Sequence, residues 1–437
     1  MKKSLLAALL MPFLLAGCSL LGGAGGDSEE DDPNSETGQK NIKIRFHVDE
    51  KNIEHDGYDK VITEFNNAHA KDGVKVTATY VARTGSNSAY ELQLAKDMED
   101  ESLPDIITFD APNCARYAKD GYLYDISNAF TSEEKSKFIT LNEYQGKLYG
   151  IPIQESSAGF YYNKTLFEQA GINVSGYTVD NPWTFDQFKA VCKQLKDASI
   201  TPVDMRLDAT TDETGTYLLY PFIYAAGGSF VDSTGLQAKG YFDSTGSISG
   251  FQFLKDLISS GYTSYGLGAT DFHTGKVGMY LSSGWTTREL DYEYKTTFGV
   301  HDRTKWGILP YPKGAIAASA TGSWSFGITN NQREDKTLVI ELLKHLTNAQ
   351  SSKTITDYTR MIPANKDAEF PYQPGDPEYF LRDQLSKSGK QRPETVAYPE
   401  FSATFGKVIS ELRNTNNVAE LVQNKATELQ GLIARVK

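Results

Sequence analysis

Two hydrophobic periods alternate along the chain after residue 41, and this alternation limits the possible folds more than any other feature of the sequence. Apolar side chains at every second position are typical of strands, and apolar side chains spaced three and four apart are typical of helices. Strand, helix, strand, helix and strand patterns follow one another at 42–48, 58–65, 74–80, 91–98 and 104–109. Strands that alternate with helices in this way predict an α/β fold with a parallel sheet.

The rest of the chain continues this pattern and is long enough for more than one domain. Its 437 residues correspond to two or three domains at about 150 residues each. Thr184 and Gln187 occupy the two positions of a capping box, which marks a helix start. Further amphipathic helices are predicted at 185–195, 251–258, 338–346 and 418–436.

The amino terminus is predicted to be a targeting segment. Lys2 and Lys3 precede an apolar run at 5–15, which is too short to cross a hydrocarbon core that needs about 20 helical residues. The run ends in Leu-Ala-Gly-Cys18, which resembles the lipobox of bacterial lipoproteins. This resemblance implies a signal peptide at 1–17, lipid attachment at Cys18, and a protein anchored to the cell membrane outside the cytoplasm. An ordinary signal peptide is the alternative.

Residues 18–40 differ in composition from the rest of the chain. They contain several glycines and the acidic run Asp-Ser-Glu-Glu-Asp-Asp at 27–32. Like charges repel one another, and such a segment has too little apolar surface to fold. We expect a flexible acidic tether between the lipid and the folded part of the chain.

The charge and the cysteine count exclude two classes of protein. The formal net charge is −12, whereas a protein that binds nucleic acid needs clustered basic residues to neutralise phosphates. The three cysteines are too few for a disulfide-stapled scaffold. We therefore expect no nucleic-acid partner and a fold that depends on its hydrophobic core.

The sequence lacks the common motifs of catalysis and cofactor binding. No Gly-Lys pair is followed by Ser or Thr, as a P-loop requires. The six histidines show no short metal-ligand spacing. We therefore expect no enzyme activity, no cofactor and no metal site. Carboxylates are plentiful, so a surface glycoside hydrolase, which needs a pair of them, stays open as an alternative.

A set of ordered strings carries a family resemblance that covers about residues 41–437. The strings include Pro104-Asp-Ile-Ile-Thr-Phe-Asp110, Gly146-Lys-Leu-Tyr-Gly-Ile-Pro-Ile153, Phe160-Tyr-Tyr-Asn-Lys164, Gly284-Trp285 and Met361-Ile-Pro-Ala364. In order and spacing they resemble the extracellular solute-binding proteins of carbohydrate ABC transporters (family 1, maltodextrin-binding-like).

The resemblance implies an α/β, two-lobed periplasmic-binding-protein-like (type II) fold with the ligand cleft between the lobes. It places the N-terminal lobe at 41–153 plus 312–361 and the C-terminal lobe at 158–308 plus 364–437. It also implies a function. A monomer would capture a sugar or oligosaccharide by hinge closure and deliver it to the membrane permease of an ABC importer.

The candidate ligand-binding residues follow from the chemistry of a sugar and from their positions in the resemblance. A sugar ring has apolar C–H faces and a rim of hydroxyl groups, so its site needs aromatic rings beside carboxylates, amides or guanidinium groups. The resemblance implies which loops face the cleft, and those loops contain both kinds of residue. The candidates are Asp49, Asp110, Asn113, Gln154, Glu155, Tyr217, Trp285, Trp324 and Arg360.

Several of these candidates have a structural alternative. Asp110 and Asn113 could cap a helix, Tyr217 could be a core residue, and Arg360 could form a salt bridge between the lobes. The ligand class also has an alternative, because the same fold can bind non-sugar solutes. The small number of Lys and Arg residues near the expected cleft argues against a strongly anionic ligand.

Overall fold

The computed structural model of the chain describes residues 40–48, 53–82, 88–209, 213–268, 270–293, 298 and 302–437. The predicted signal peptide at 1–17, the lipid site Cys18, the tether up to residue 39 and the candidate Asp49 lie outside the described residues. Residues Lys40–Lys437 form one compact unit.

The strands and helices alternate along the chain, as the hydrophobic periods predict. The strands are β1 (Lys40–His47), β2 (Val74–Val81), β3 (Ile106–Asp110), β4 (Asn142–Tyr144), β5 (Lys147–Ser156), β6 (Ala158–Asn163), β7 (Thr201–Asp204), β8 (Val277–Ser283), β9 (Trp306–Leu309), β10 (Ser319–Ala320), β11 (Gly322–Ile328), β12 (Ile362–Pro363) and β13 (Gly389–Lys390).

The α-helices in the described part of the chain include all those predicted from the sequence. They are α1 (Ile53–Ala68), α2 (Ser88–Glu99), α3 (Cys114–Lys119), α4 (Ser132–Ser136), α5 (Lys164–Gln169), α6 (Phe185–Asp197), α7 (Glu213–Ala225), α8 (Thr245–Ser259), α9 (Gly284–Arg288), α10 (Thr337–Thr347), α11 (Ala349–Thr359), α12 (Pro377–Ser388), α13 (Tyr398–Leu412) and α14 (Val418–Val436). The capping box before α6 is confirmed, because the side chains of Thr184 and Gln187 each accept from the other's backbone N–H.

The first sheet has seven strands in the order β12-β5-β11-β3-β1-β2, with β4 paired to β5. Strand β1 is parallel to β2 and to β3, as predicted. Strand β11 lies antiparallel between β3 and β5, so the parallel pairing predicted for the first three strands does not extend to the whole sheet, which is mixed. The chain reaches β11 only after it has built the second sheet, so this strand does not belong to a strand–helix–strand repeat, which is the unit that makes strands parallel.

The second sheet has four strands in the order β7-β8-β6-β9. Strand β6 pairs antiparallel with both β8 and β9. Strand β5 of the first sheet ends at Ser156 and β6 begins at Ala158. The chain therefore crosses from one sheet to the other through a single residue, Ser157.

Each sheet has its own hydrophobic core, which gives the two-lobed α/β architecture. The first lobe is the part built on the first sheet, where Phe46, Phe65 and Leu342 are buried together. The second lobe is the part built on the second sheet, where α6, α7, α8, α13 and α14 bury a larger cluster. Members of that cluster include Phe160, Phe222, Phe251, Phe405 and Leu429.

The described residues contain no helix long and apolar enough to cross a membrane. Cys114 and Cys192 are free thiols, and both are buried. No group of three or more metal-ligating side chains occurs in this part of the chain.

Two glycines in helices should respond in opposite directions to alanine. A Cβ on Gly250 would lie 2.7 Å from the Ile223 Cα and 2.9 Å from the Phe222 carbonyl oxygen, at the crossing of α8 and α7. We expect Gly250→Ala to destabilise the protein by about 1–3 kcal/mol. Gly431 in α14 is exposed and has nothing within 4 Å of such a Cβ, so Gly431→Ala should stabilise by about 0.5–1 kcal/mol. Urea unfolding of the two variants measures both changes, and equal signs would contradict this packing.

Candidate functional site

Strand pairing brings three of the predicted residues into one row at the edge of the first sheet. Trp324 on β11 pairs with Asp110 on β3 on one side and with Gln154 on β5 on the other. The register shifts directly after Trp324, which marks an irregularity in β11 at this point. The row lies at the carboxyl end of β3, the edge where open α/β sheets bind their ligands.

Asp110 is held by a charged cluster that the sequence did not reveal. Its two carboxylate oxygens accept from Nη1 and Nη2 of Arg392, at 2.7 and 2.6 Å. The Nη1 atom of Arg392 also donates to Glu213 at 2.7 Å. Asp110 and Arg392 are each 7% exposed, so this is a buried bidentate ion pair, the geometry that gives strong charge-assisted hydrogen bonds.

Aromatic rings complete the surroundings of Arg392. Its guanidinium carbon lies 5.5 Å from the centre of the Tyr217 ring and 5.9 Å from that of Tyr398, within the range of a cation–π interaction. Burial opposes the charge of Arg392, but Asp110, Tyr398 and Glu213 favour it and hold its pKa well above that of free arginine. Burial raises the pKa of Glu213.

Glu155 lies beside this cluster and is only 1% exposed. The Thr140 hydroxyl donates to its carboxylate. Burial raises the pKa of Glu155 to about 7, against the lowering effects of Thr140 and Arg392. This carboxyl group therefore holds its proton to a higher pH than an exposed glutamate does.

A small cavity lies between the lobes beside Glu155 and Arg392. It has a volume of about 50 Å³, and its lining includes Cys114, Thr140, Glu155, Arg392 and Glu394. A typical small-molecule site holds roughly 300–1,000 Å³. This cavity is therefore too small for a molecule of that size as the lobes stand.

The second lobe contributes two aromatic residues. The ring centres of Tyr217 and Trp285 are 6.2 Å apart at an interplanar angle of 45°. The Tyr217 hydroxyl lies 2.8 Å from the Ser156 hydroxyl of the first lobe, whereas Trp285 is partly exposed. Tyr217 is thus more than a core residue, because its polar end reaches the opposite lobe.

Two predicted residues near the crossing are engaged by neighbouring side chains. Gln154 accepts a hydrogen bond of 2.8 Å from the Thr359 hydroxyl. Arg360 has a left-handed backbone, with φ of 60°, and donates to the Tyr372 hydroxyl at 2.6 Å. A Cβ on Gly284 would lie 2.8 Å from the Arg360 carbonyl oxygen. Gly284 therefore lets α9, which carries Trp285, approach the Arg360 backbone.

Asn113 does not cap the helix that follows it. It is buried and directly precedes α3, but its side chain makes no capping hydrogen bond to that helix. The structure thus gives no support to helix capping as the reason for this residue. Asn113 stays a predicted ligand residue on its position alone.

A family comparison identifies the class of protein that carries this cleft. Residues 52–353 match the bacterial extracellular solute-binding protein family. The chain belongs to this family. A two-lobed fold with polar and aromatic residues at the junction agrees with solute binding.

This solute-binding protein has relatives of known name and structure. A "Putative binding protein" of Brucella abortus is 24% identical over 260 residues, which is 57% of each chain. The chain thus matches just over half the length of this curated relative. A "Multiple sugar-binding protein" of Streptococcus mutans is 27% identical over 146 residues, 33% of this chain and 31% of the relative.

Among solved structures, the cyclic alpha-maltosyl-1,6-maltose binding protein of Arthrobacter globiformis is similar in fold. Its TM-score is 0.75 at 19% identity, with 91% of this chain and 100% of that chain covered. At this identity the likeness shows the shared fold.

Arg392 and Glu213 of this solute-binding protein were missed by the sequence analysis. Arg392 lies in an irregular stretch between β13 and α13, where no hydrophobic period indicates which way a side chain points. Glu213 is the first residue of α7 and looks like an ordinary acidic residue at a helix start. Only the three-dimensional contact shows that they share one buried charge cluster.

The raised pKa of Glu155 predicts a loss of stability as the pH rises. Its carboxyl group has an ordinary pKa of 4.5 and a folded-state pKa of about 7. The protonated form is favoured in the folded state, so stability falls as the pH rises from 4.5 through 7, by about 3 kcal/mol for this group. Glu155→Gln should remove this part of the pH dependence in urea unfolding at pH 5 and pH 8.

A second variant gives this prediction its control. Thr140→Val removes the hydroxyl that stabilises the ionised form of Glu155, so it should steepen the loss of stability with pH. A Glu155→Gln variant that loses stability as steeply as the wild type would contradict the assigned pKa.

Proposed function

We propose that the protein captures a sugar or oligosaccharide outside the cytoplasm and delivers it to the membrane permease of an ABC importer. The observation that carries this proposal is the meeting of two kinds of surface at the junction of the lobes. The first lobe offers Gln154, Glu155 and Trp324, and the second lobe offers Tyr217 and Trp285. Polar groups and aromatic rings on opposite sides match the rim and the faces of a sugar.

Closure of the lobes would bring these surfaces onto the ligand. The chain first crosses between the sheets through Ser157 and returns between β9 and β11. Small changes of backbone angles in these connections would rotate one lobe against the other. The predicted lobe boundaries, 41–153 plus 312–361 and 158–308 plus 364–437, are part of this proposal. They are supported by the sheets, since β1–β5 lie in the first and β6–β9 in the second.

A sugar is favoured over other solutes by the groups at the junction and by the names of the relatives. A Streptococcus mutans relative is named a multiple sugar-binding protein. The cavity lining contains one basic residue, Arg392, and it is already paired with Asp110. An anionic solute would find no free cation among the described lining residues, whereas hydroxyl groups would find acceptors.

Trp285 is the residue we expect to stack on the sugar. Trp285→Ala should weaken binding by about 1–3 kcal/mol, roughly 5- to 150-fold, because one aromatic contact is lost. A thermal-shift screen over neutral oligosaccharides identifies a ligand, since a ligand that binds the native form raises the unfolding temperature. Titration calorimetry then compares the variant with the wild type.

Tyr241→Ala is a matched control for Trp285→Ala, because Tyr241 is an exposed aromatic residue of the second lobe whose carbonyl oxygen accepts from Ser247 on α8, whereas Trp285 lies beside Tyr217 at the junction. It should leave the affinity unchanged. Equal affinities of the Trp285→Ala variant and the wild type would exclude Trp285 from the site. Chromatography of the titrated sugar tests the hydrolase alternative, which requires shorter products.

We also propose that the protein is attached to the cell membrane through lipid on Cys18 and acts there as a monomer. The lipobox resemblance and the apolar run before it support the anchor. Cys18→Ser should move the protein from the membrane fraction to the soluble fraction of cells. The diacylglyceryl group would be attached to the sulfur of Cys18 and a further acyl chain to its amine, and the variant lacks the sulfur. Retention of the variant in the membrane would contradict lipid anchoring at this position.

A further inference from the structure

The two lobes are joined by an ion pair whose partners come from different sheets. Asp110 is the last residue of β3 in the first sheet. Arg392 lies in the segment between β13 and α13, and α13 packs into the core of the second lobe. Their contact, with two N–H···O bonds of 2.6 and 2.7 Å, therefore crosses from one lobe to the other.

The second lobe holds Arg392 in position independently of Asp110. Glu213, the first residue of α7, accepts from Arg392 and from the hydroxyl groups of Tyr398 and Ser402. The two hydroxyl groups lie on α13, and Arg392 lies in the segment before that helix. The Tyr217 ring on α7 flanks the guanidinium. When the lobes separate, Arg392 thus keeps one carboxylate partner and its aromatic neighbours. Of the contacts that Arg392 makes, only the pair of hydrogen bonds to Asp110 breaks.

We propose that Arg392 is a positioning residue that holds the lobes closed through Asp110, and that Asp110 serves this contact rather than the ligand. Both oxygens of Asp110 are taken by the guanidinium, and the carboxylate is almost fully buried. A bidentate pair has one favourable alignment, so it selects one closed arrangement of the lobes. We call this Asp110–Arg392 pair the interlobe latch.

A second ion pair crosses the same gap and provides a matched comparison. Arg116 on α3 in the first lobe lies 3.3 Å from Glu400 on α13 in the second lobe. Their side chains are 27% and 23% exposed, so water screens the pair and it contributes little. The latch is buried, and removal of one partner leaves a buried carboxylate without its cation in the closed form.

Cys114 reports on the opening of the gap. This residue lines the cavity between the lobes, is 4% exposed and packs against a hydrophobic cluster of the first lobe. Burial raises its pKa to about 12, which suppresses the reactive thiolate. Opening hydrates the thiol and speeds its reaction with a disulfide reagent such as dithionitrobenzoate. Cys192 is fully buried in the core of the second lobe and reacts only on unfolding.

The test compares labelling rates in the full chain with Cys18→Ser, which leaves Cys114 and Cys192 as its thiols. Without any added solute, Arg392→Gln should speed the labelling of Cys114 at least tenfold. Arg116→Gln should change it less than twofold. Asp110→Asn should have the same effect as Arg392→Gln, and the double variant should add no further increase, because both changes break one bond.

Two further measurements separate opening from unfolding. Circular dichroism should be unchanged in the Arg392→Gln variant and Cys192 should stay unreactive, while small-angle scattering shows a larger radius of gyration. If Arg392→Gln proves unfolded, Arg392→Lys, which keeps the charge but loses the second bond to Asp110, should give an intermediate labelling rate. Labelling of Cys114 within twofold of the wild type, or an equal increase from Arg116→Gln, overturns the latch. Neither result depends on which solute binds.

Discussion

The first passage of the chain from one sheet to the other, through the single residue Ser157, is the constraint on which the rest of the structure depends. Strand β5 has neighbours on both sides in the first sheet, and β6 has neighbours on both sides in the second. The crossing is therefore fixed at both ends, and Ser157 lies between two rigid elements. Gln154, Glu155 and Ser156 come directly before it, so the side chains nearest the crossing are also those at the junction of the lobes.

The junction is built from charged and hydroxyl groups, and this choice has a physical reason. An apolar junction would gain free energy from every buried square ångström and would hold the lobes together permanently. Asp110 and Arg392 regain hydration at their shared contact when the lobes separate, which offsets much of the energy of that contact. Charges at the junction therefore allow a contact that is specific in geometry and still reversible.

Much of the secondary structure could be predicted because the spacing of apolar residues within a short segment indicates whether that segment forms a strand or a helix. The runs at 42–48 and 58–65 appear as β1 and α1, and the spacing of Thr184 and Gln187 gave the start of α6. The place of β11 between β3 and β5 could not be read in the same way. The register of β11 depends on pairs such as Trp324 with Asp110 and Trp324 with Gln154, which are 214 and 170 positions apart, and no local pattern encodes it.

The types of residue in the candidate site could be predicted from the sequence. The side chains that pair with them could not. The sequence indicated Trp285 and Glu155 through the chemistry of sugars and a family resemblance. It did not indicate Arg392, because a buried arginine is recognised only by the carboxylates around it, and Asp110 and Glu213 are 282 and 179 positions away. The two-residue strands β12 and β13 were missed since a period needs more residues to be visible.

Burial of the Glu155 carboxyl group connects the opening of the lobes with proton exchange. Burial raises the pKa of this group, so water that reached it as the lobes parted would lower its pKa toward that of an exposed glutamate and favour release of a proton. A more acid medium opposes that release and so favours the closed form. The heat of lobe movement must accordingly differ between buffers with different ionisation enthalpies, even when the free energy at a given pH is the same.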